Sequence, residues 1–128
     1  MKRFLSNARG FTMLEIMTAI VIISILSVLA IMQYTKAIER QHGRNAITYL
    51  KTIRSAQIRY YMESDKYASY VEELDIEEAM VELKQYFTFE IDPAGFPITA
   101  KRIGSSAWIK IYQDNRIETD GTIYEGIY

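Results

Sequence analysis

The chain has 128 residues, of which 49% are hydrophobic and 24% charged, with a formal net charge of −1 and no cysteine. That mixture excludes a disordered chain, disulfides and thiolate metal sites, and the near-neutral balance gives no general support to nucleic-acid binding, which needs a basic stripe. The average conceals an asymmetry: apolar residues crowd the first quarter and charges fill the rest.

The first ten residues carry Lys2, Arg3 and Arg9 and no acid. Phe11 to Met32 then gives 22 residues with one formal charge, Glu15. As a helix this segment spans about 33 Å, the thickness of a bilayer core. It is apolar all round rather than along one stripe, and the remaining residues, under about 100, are too few to cover it on every side. We read it as a membrane-spanning helix. The cations ahead of it keep the N-terminus cytoplasmic and send residues after about 33 outward. The run is too long for the apolar region of a secretory signal peptide, and no small-residue A-x-A site follows its exit, I-M-Q-Y-T-K. Any cleavage is expected before the apolar run. Glu15 is the anomaly, because an ionised carboxylate facing hydrocarbon costs about 2.5–3.5 kcal/mol on insertion scales.

G-F-T-M-L-E, from Gly10 to Glu15, follows a short basic leader and opens the apolar helix. The arrangement resembles the class III signal of type IV pilins and type II secretion pseudopilins. The resemblance implies that an aspartyl prepilin peptidase in the membrane cuts after Gly10 and methylates the new amine. Residues 1–10 would be the leader, Phe11 the N-methylated N-terminus and Glu15 the family's helix glutamate. The implied partners are the prepilin peptidase, identical and related pilin subunits in a helical polymer, an inner-membrane assembly platform, and lipid before assembly. The implied location is the inner membrane, single-pass, followed by an extracellular pilus or a periplasmic pseudopilus. Ser24 stands where many members have glycine, and Met32 where many have proline. Without the proline kink a continuous helix is expected.

After Met32 the pattern becomes amphipathic. Ile38, Ala46, Ile47, Leu50, Ile53, Gln57 and Tyr60 recur at three- and four-residue steps, with most charges elsewhere. Gly43 is a soft point costing up to about 1 kcal/mol relative to alanine. One helix is expected from about Phe11 to Glu63, with residues 11–33 in lipid or a filament core and 34–63 packing one face on a head formed by 64–128. Ser64-Asp65 ends it. Tyr60, Tyr61, Tyr67, Tyr70 and Leu74 are expected to bury apolar area under the next loop, and A-Q-I-R-Y-Y from Ala56 also resembles pilin-like helix ends. Asp75–Lys84 is expected to form a short second helix. Alternation then predicts strands at Tyr86–Ile91, Phe96–Arg102, Ala107–Gln113 and Arg116–Glu118, with turns at Asp92-Pro93-Ala94-Gly95, Asp114-Asn115 and Asp120-Gly121. Phe87, Phe89, Ile98, Ile109 and Ile111 are candidates for the apolar face.

The fold expected is α+β, a long N-terminal helix on a small three- to four-stranded antiparallel sheet. No catalytic constellation or cofactor motif is present in the sequence, and His42 is expected on the solvated side of the helix. Asp114, Glu118 and Asp120 are the candidate oxygen ligands for calcium, but Arg116 breaks an EF-type spacing, and two hairpin turns are the better reading. The function expected is a non-enzymatic structural subunit of a type IV pilus or pseudopilus. Its Glu15 carboxylate would pair with the Phe11 amine of a neighbouring subunit, with no cofactor and no nucleic acid. The alternatives are a minor tip pilin that binds a ligand or DNA, and a single-span membrane-anchored sensor or binding protein.

Overall fold

The computed structural model describes residues 10–76, 81–120 and 124–128. The cations Lys2, Arg3 and Arg9 of the expected leader, residues 77–80 of the expected second helix, and Gly121 of the expected Asp120-Gly121 turn lie outside the described residues. The chain divides into two units, Met1–Thr35 and Lys36–Tyr128, and one helix, α1 (Met13–Ser64), contributes to both.

In the first unit every described side chain is exposed. The large apolar residues from Phe11 to Met32 keep 48% to 84% of their surface. A soluble fold would bury such a run, so this surface has no cover within its own unit.

In the second unit α1 buries Gly43, Ala46, Ile47, Leu50, Ile53, Ala56 and Gln57, a stripe at three- and four-residue steps. Asp65, with φ of +55°, ends the helix in the left-handed region, its N–H bonded to Tyr61 O. A 3-10 turn at Val71–Glu73 and a short helix α2 (Val81–Tyr86) lead into β1 (Phe87–Ile91), β2 (Ile98–Arg102), β3 (Trp108–Ile111) and β4 (Ile117–Thr119). The strands pair antiparallel in the order β1-β2-β3-β4.

The register places Phe87 opposite Arg102, Phe89 opposite Ala100, Ile91 opposite Ile98, and Ile109 opposite Ala100. Side chains alternate along a strand, so these residues share one face, and Phe87, Ile98, Ala100, Ile109 and Ile111 are buried on it. With the α1 stripe, Ala68, Leu74 and Tyr124 they form one core. Burial of each large apolar side chain is worth about 1.5–3 kcal/mol.

Several expectations need correction. Ile38 lies in the apolar spacing yet is exposed, and Tyr70 stands in solvent instead of under the loop. The second helix does not fill Asp75–Lys84: its described part is Val81–Tyr86, and Tyr86 closes this helix instead of opening β1. β2 begins at Ile98 because Pro97 has no N–H to give the ladder. Gly43 is no soft point. A Cβ there would lie 2.6 Å from the Tyr124 ring and 2.7 Å from Ile127, so the missing side chain admits the C-terminal segment.

Candidate functional site

The start of α1 explains part of the Glu15 anomaly. Thr12 precedes the helix, and Glu15 occupies its third helical position, the spacing of a capping box. The Thr12 N–H donates to Glu15 Oε2 at 2.8 Å, the Thr12 hydroxyl donates to the same oxygen at 3.0 Å, and the Glu15 N–H donates to the Thr12 hydroxyl at 3.3 Å. The carboxylate therefore has partners within its own chain.

The hydroxyls deeper in the segment follow the same logic. Thr18 donates to Leu14 O at 2.8 Å, Ser24 to Ile20 O at 2.7 Å and Ser27 to Ile23 O at 2.7 Å. Each returns its proton to the carbonyl one turn back, so none demands water. Ser24, in particular, sits in unbroken helix. Gly10 and Phe11 precede the helix in exposed, irregular chain. A peptide bond must be extended and reachable to enter a protease. The apolar helix is long enough to cross a membrane, with no buried residue in its most apolar window.

Residues 5–31 match the prokaryotic N-terminal methylation motif. The chain is also similar to the Type IV major pilin protein PilA of Myxococcus xanthus (strain DK1622), with 36% identity over 72 residues. That match covers 56% of this chain but only 33% of the relative, so the chain spans about a third of that protein's length. In its N-terminal segment, the chain is similar to a type IV pilin. No solved structure matches it.

The second unit holds two polar anchors. Gln57, fully buried, donates to Ala68 O at 2.9 Å and accepts from Ala68 N–H at 3.3 Å. Its amide thus replaces a strand partner for the loop that follows α1. The stripe analysis located Gln57 on the core face but not this role. Beside it, Tyr67 stacks on Tyr61 with ring centroids 4.5 Å apart and meets Phe96 edge-on at 5.6 Å. Gly95, with φ of +93°, leaves room for the Tyr67 ring.

The second anchor was not foreseen. Arg102 Nε donates to Glu39 Oε1 at 2.7 Å and Nη2 to Oε2 at 3.1 Å, a bidentate pair, while the Tyr124 hydroxyl donates to Oε1 at 2.6 Å. Arg102 Nη1 also donates to Tyr86 O at 3.1 Å, and the guanidinium lies 4.8 Å from the Tyr86 ring centroid. The Arg102 bond holds the Glu39 carboxyl below its ordinary value against the opposing effect of burial, with help from Tyr124. Glu39 in turn raises Arg102. Burial first, then the bond to Glu39, pushes the Tyr124 hydroxyl up, so it stays a neutral donor. The signal was legible in principle: Glu39 lies on the helix stripe with Gly43 and Ala46, and Arg102 alternates in phase with Ala100 and Ile98. Two opposite charges, each in the apolar phase of its element, point at each other.

His42 joins this cluster and corrects the expectation of a solvated histidine. Its ring stacks on Tyr86 at 4.0 Å, and Nδ1 lies 3.9 Å from Glu39 Oε2. The calcium candidates are otherwise engaged. Asp114 Oδ1 accepts from the Arg116 N–H at 3.1 Å, Glu118 Oε2 accepts from the Tyr112 hydroxyl at 2.8 Å, and Arg116 Nη1 lies 3.3 Å from Glu118 Oε1. Among the described residues no group of three or more His, Cys, Asp or Glu is placed to hold a metal.

Proposed function

We propose that the chain is a filament-forming pilin subunit, made as a precursor and polymerised through residues 11–33. The observation that carries this reading is the uncovered apolar surface of α1 from Met13 to Met32, in a segment whose polar side chains are satisfied internally. Such a helix is stable in lipid, and it is equally suited to a bundle of its own kind, where the hydroxyls need nothing from their neighbours.

In this reading the leader, residues 1–10, is cut after Gly10 by a prepilin peptidase, and Phe11 becomes a methylated N-terminal amine. The precursor and the mature membrane form hold their N-terminus on the cytoplasmic side of the inner membrane. Assembly, on a platform in that membrane, moves residues 11–33 out of lipid into a filament core. Residues 34–63 continue the helix into the head formed by 64–128.

Cleavage leaves the Thr12 N–H as an ordinary amide, so the capping box survives it. It also creates a cation one residue ahead of that box. Glu15 Oε2 takes both Thr12 bonds. Oε1 is then the oxygen for the Phe11 amine of a neighbouring copy. A paired charge is tolerated in a dry core where two unpaired ones are not, and the pair fixes axial register. The chemistry of the chain is thus that of a substrate and a building unit.

Two measurements test the reading. Mass analysis of the chain from cells is expected to show Phe11 as a methylated N-terminus, and a chain that still begins at Met1 contradicts the processing step. Glu15→Ala is expected to leave membrane insertion intact and remove most filaments. Filaments of normal number and length in that variant contradict the pairing.

A further inference from the structure

The outward face of α1 in the second unit carries Lys36, Arg40, Arg44, Lys51 and Arg59, spaced at steps of four, four, seven and eight residues, and all are exposed. They lie on one side of the helix along about 35 Å. Lys36, Arg40 and Arg44 stand one turn apart in succession, a spacing at which like charges repel. The single acid on this part of the helix before Glu63 is Glu39, and Arg102 and Tyr124 already occupy it. Among the described residues no carboxylate reaches Lys36, Arg40, Arg44 or Lys51 within ion-pairing distance. Arg59 alone is tied down, donating to Asp75 O at 2.8 Å.

The complement lies in the same chain. From Glu72 to Glu82 the sequence has six carboxylates and no cation. Glu72, Glu73, Asp75 and Glu82 are exposed. An open groove of about 440 Å³ borders the basic face between Lys51, Ser55, Arg59 and the Asp75–Ile76 segment.

We infer that the basic face of α1 docks the exposed acids Glu72, Glu73, Asp75 and Glu82 of a second copy of the chain. Used head to tail, with each copy giving its basic face to one neighbour and its acids to the other, the contact is heterologous and propagates into a helix instead of closing a dimer. Charge complementarity selects this occupant over nucleic acid. A polyanion drawn to the face would also meet the acidic segment beside it. Within a filament, each copy's acidic segment is held close to its neighbours' basic faces, so weak pairs suffice. The contact would set the angular placement of heads, whereas residues 11–33 supply the cohesion. This inference rests on the filament reading above.

The test uses the full-length chain in cells. The variant Arg40→Glu, Arg44→Glu, Lys51→Glu alters exposed side chains outside the core. It is expected to accumulate as processed protein in the membrane at the wild-type level, with filament number down about ten-fold, as apposed like charges repel. Adding Glu72→Lys, Glu73→Lys and Glu82→Lys is expected to restore filaments. Wild-type filaments, needing no variant, are expected to shed subunits several-fold faster in about 1 M salt, where the Debye length is about 3 Å. Normal filaments in the triple variant overturn this inference and leave the filament reading standing. Loss without rescue also overturns it, and binding of the wild-type chain to duplex DNA or phosphatidylglycerol vesicles, abolished in the triple variant, would then name the occupant. A wild-type chain that never forms filaments overturns both.

Discussion

Two stretches of α1 meet a carboxylate in opposite ways. At Glu15 the helix satisfies the charge from its own first turn, through the Thr12 amide and hydroxyl, while every side chain nearby stays exposed. At Glu39 the partners come from afar in sequence, Arg102 and Tyr124, and the helix is half wrapped by core. The difference teaches which part of the fold is self-contained. Residues 10–35 are locally complete but lack cover, whereas from Lys36 onward the helix is specified by what packs on it.

Truncating apolar residues should expose that contrast most strongly. Ile53→Ala removes a fully buried side chain and is expected to lower head stability by about 3 kcal/mol. Leu26→Ala, in the exposed run, should leave it unchanged within about 0.5 kcal/mol. Denaturant unfolding of the full chain in detergent, followed by the Trp108 signal, measures both. Equal losses would erase the distinction between the two regions.

Gly43→Ala separates propensity from packing. On helix propensity alone it should stabilise by about 1 kcal/mol. Against the Tyr124 ring at 2.6 Å it should instead destabilise by about 2 kcal/mol. A stabilised variant would mean that the C-terminal segment does not pack there.

Glu39→Gln is expected to cost about 1–2 kcal/mol at neutral pH, because it weakens a charge-assisted pair and leaves Arg102 without its counter-charge. The pH dependence has a definite sign. The folded-state carboxyl of Glu39 lies below its ordinary value of 4.5, so its contribution is fully present above about that pH and fades as the pH falls through the lower folded value. The gap between wild type and variant should therefore narrow in acid. A gap that stays constant below pH 4.5 would show that the pair contributes by shape alone.

Much of this was legible in the sequence. The uninterrupted apolar run, the basic residues ahead of it and the period change after Met32 located α1 nearly to the residue, because hydrophobic periodicity follows the same geometry that forms the helix. The strands were found because their apolar residues alternate, with ends misplaced by one or two residues at Pro97, at the α2–β1 junction, at β3, which runs Trp108–Ile111 instead of Ala107–Gln113, and at β4, which runs Ile117–Thr119 instead of Arg116–Glu118. The anchors were harder. A glycine at 43 reads as a helix defect until a tyrosine 81 positions later is known to rest on it. Glu39 and Arg102 carry no local signature, since only the folded register makes them neighbours. Thr12 and Glu15 did carry one, the T-x-x-E spacing of a capping box.

The smallest expected effect lies at that box. Thr12→Ala removes the hydroxyl and keeps the backbone donor, so about 1 kcal/mol of helix-start stability should be lost. Faster amide exchange confined to the first turn of α1 would report it. Fraying that spreads past Ser24 would show that the rest of the helix is less self-sufficient than its hydroxyl bonds indicate.

The central claim is that the apolar surface from Met13 to Met32 is finally covered by other copies of the same helix. Electron cryomicroscopy of filaments sheared from cells making this chain tests it most directly, by measuring how much of that surface is buried. The account predicts that these side chains, exposed in the single chain, lie in contact with the corresponding residues of neighbouring copies, with Glu15 beside a Phe11 amine. Filaments in which residues 13–32 stay on the outside, or a chain found only as membrane-held monomers, would contradict it.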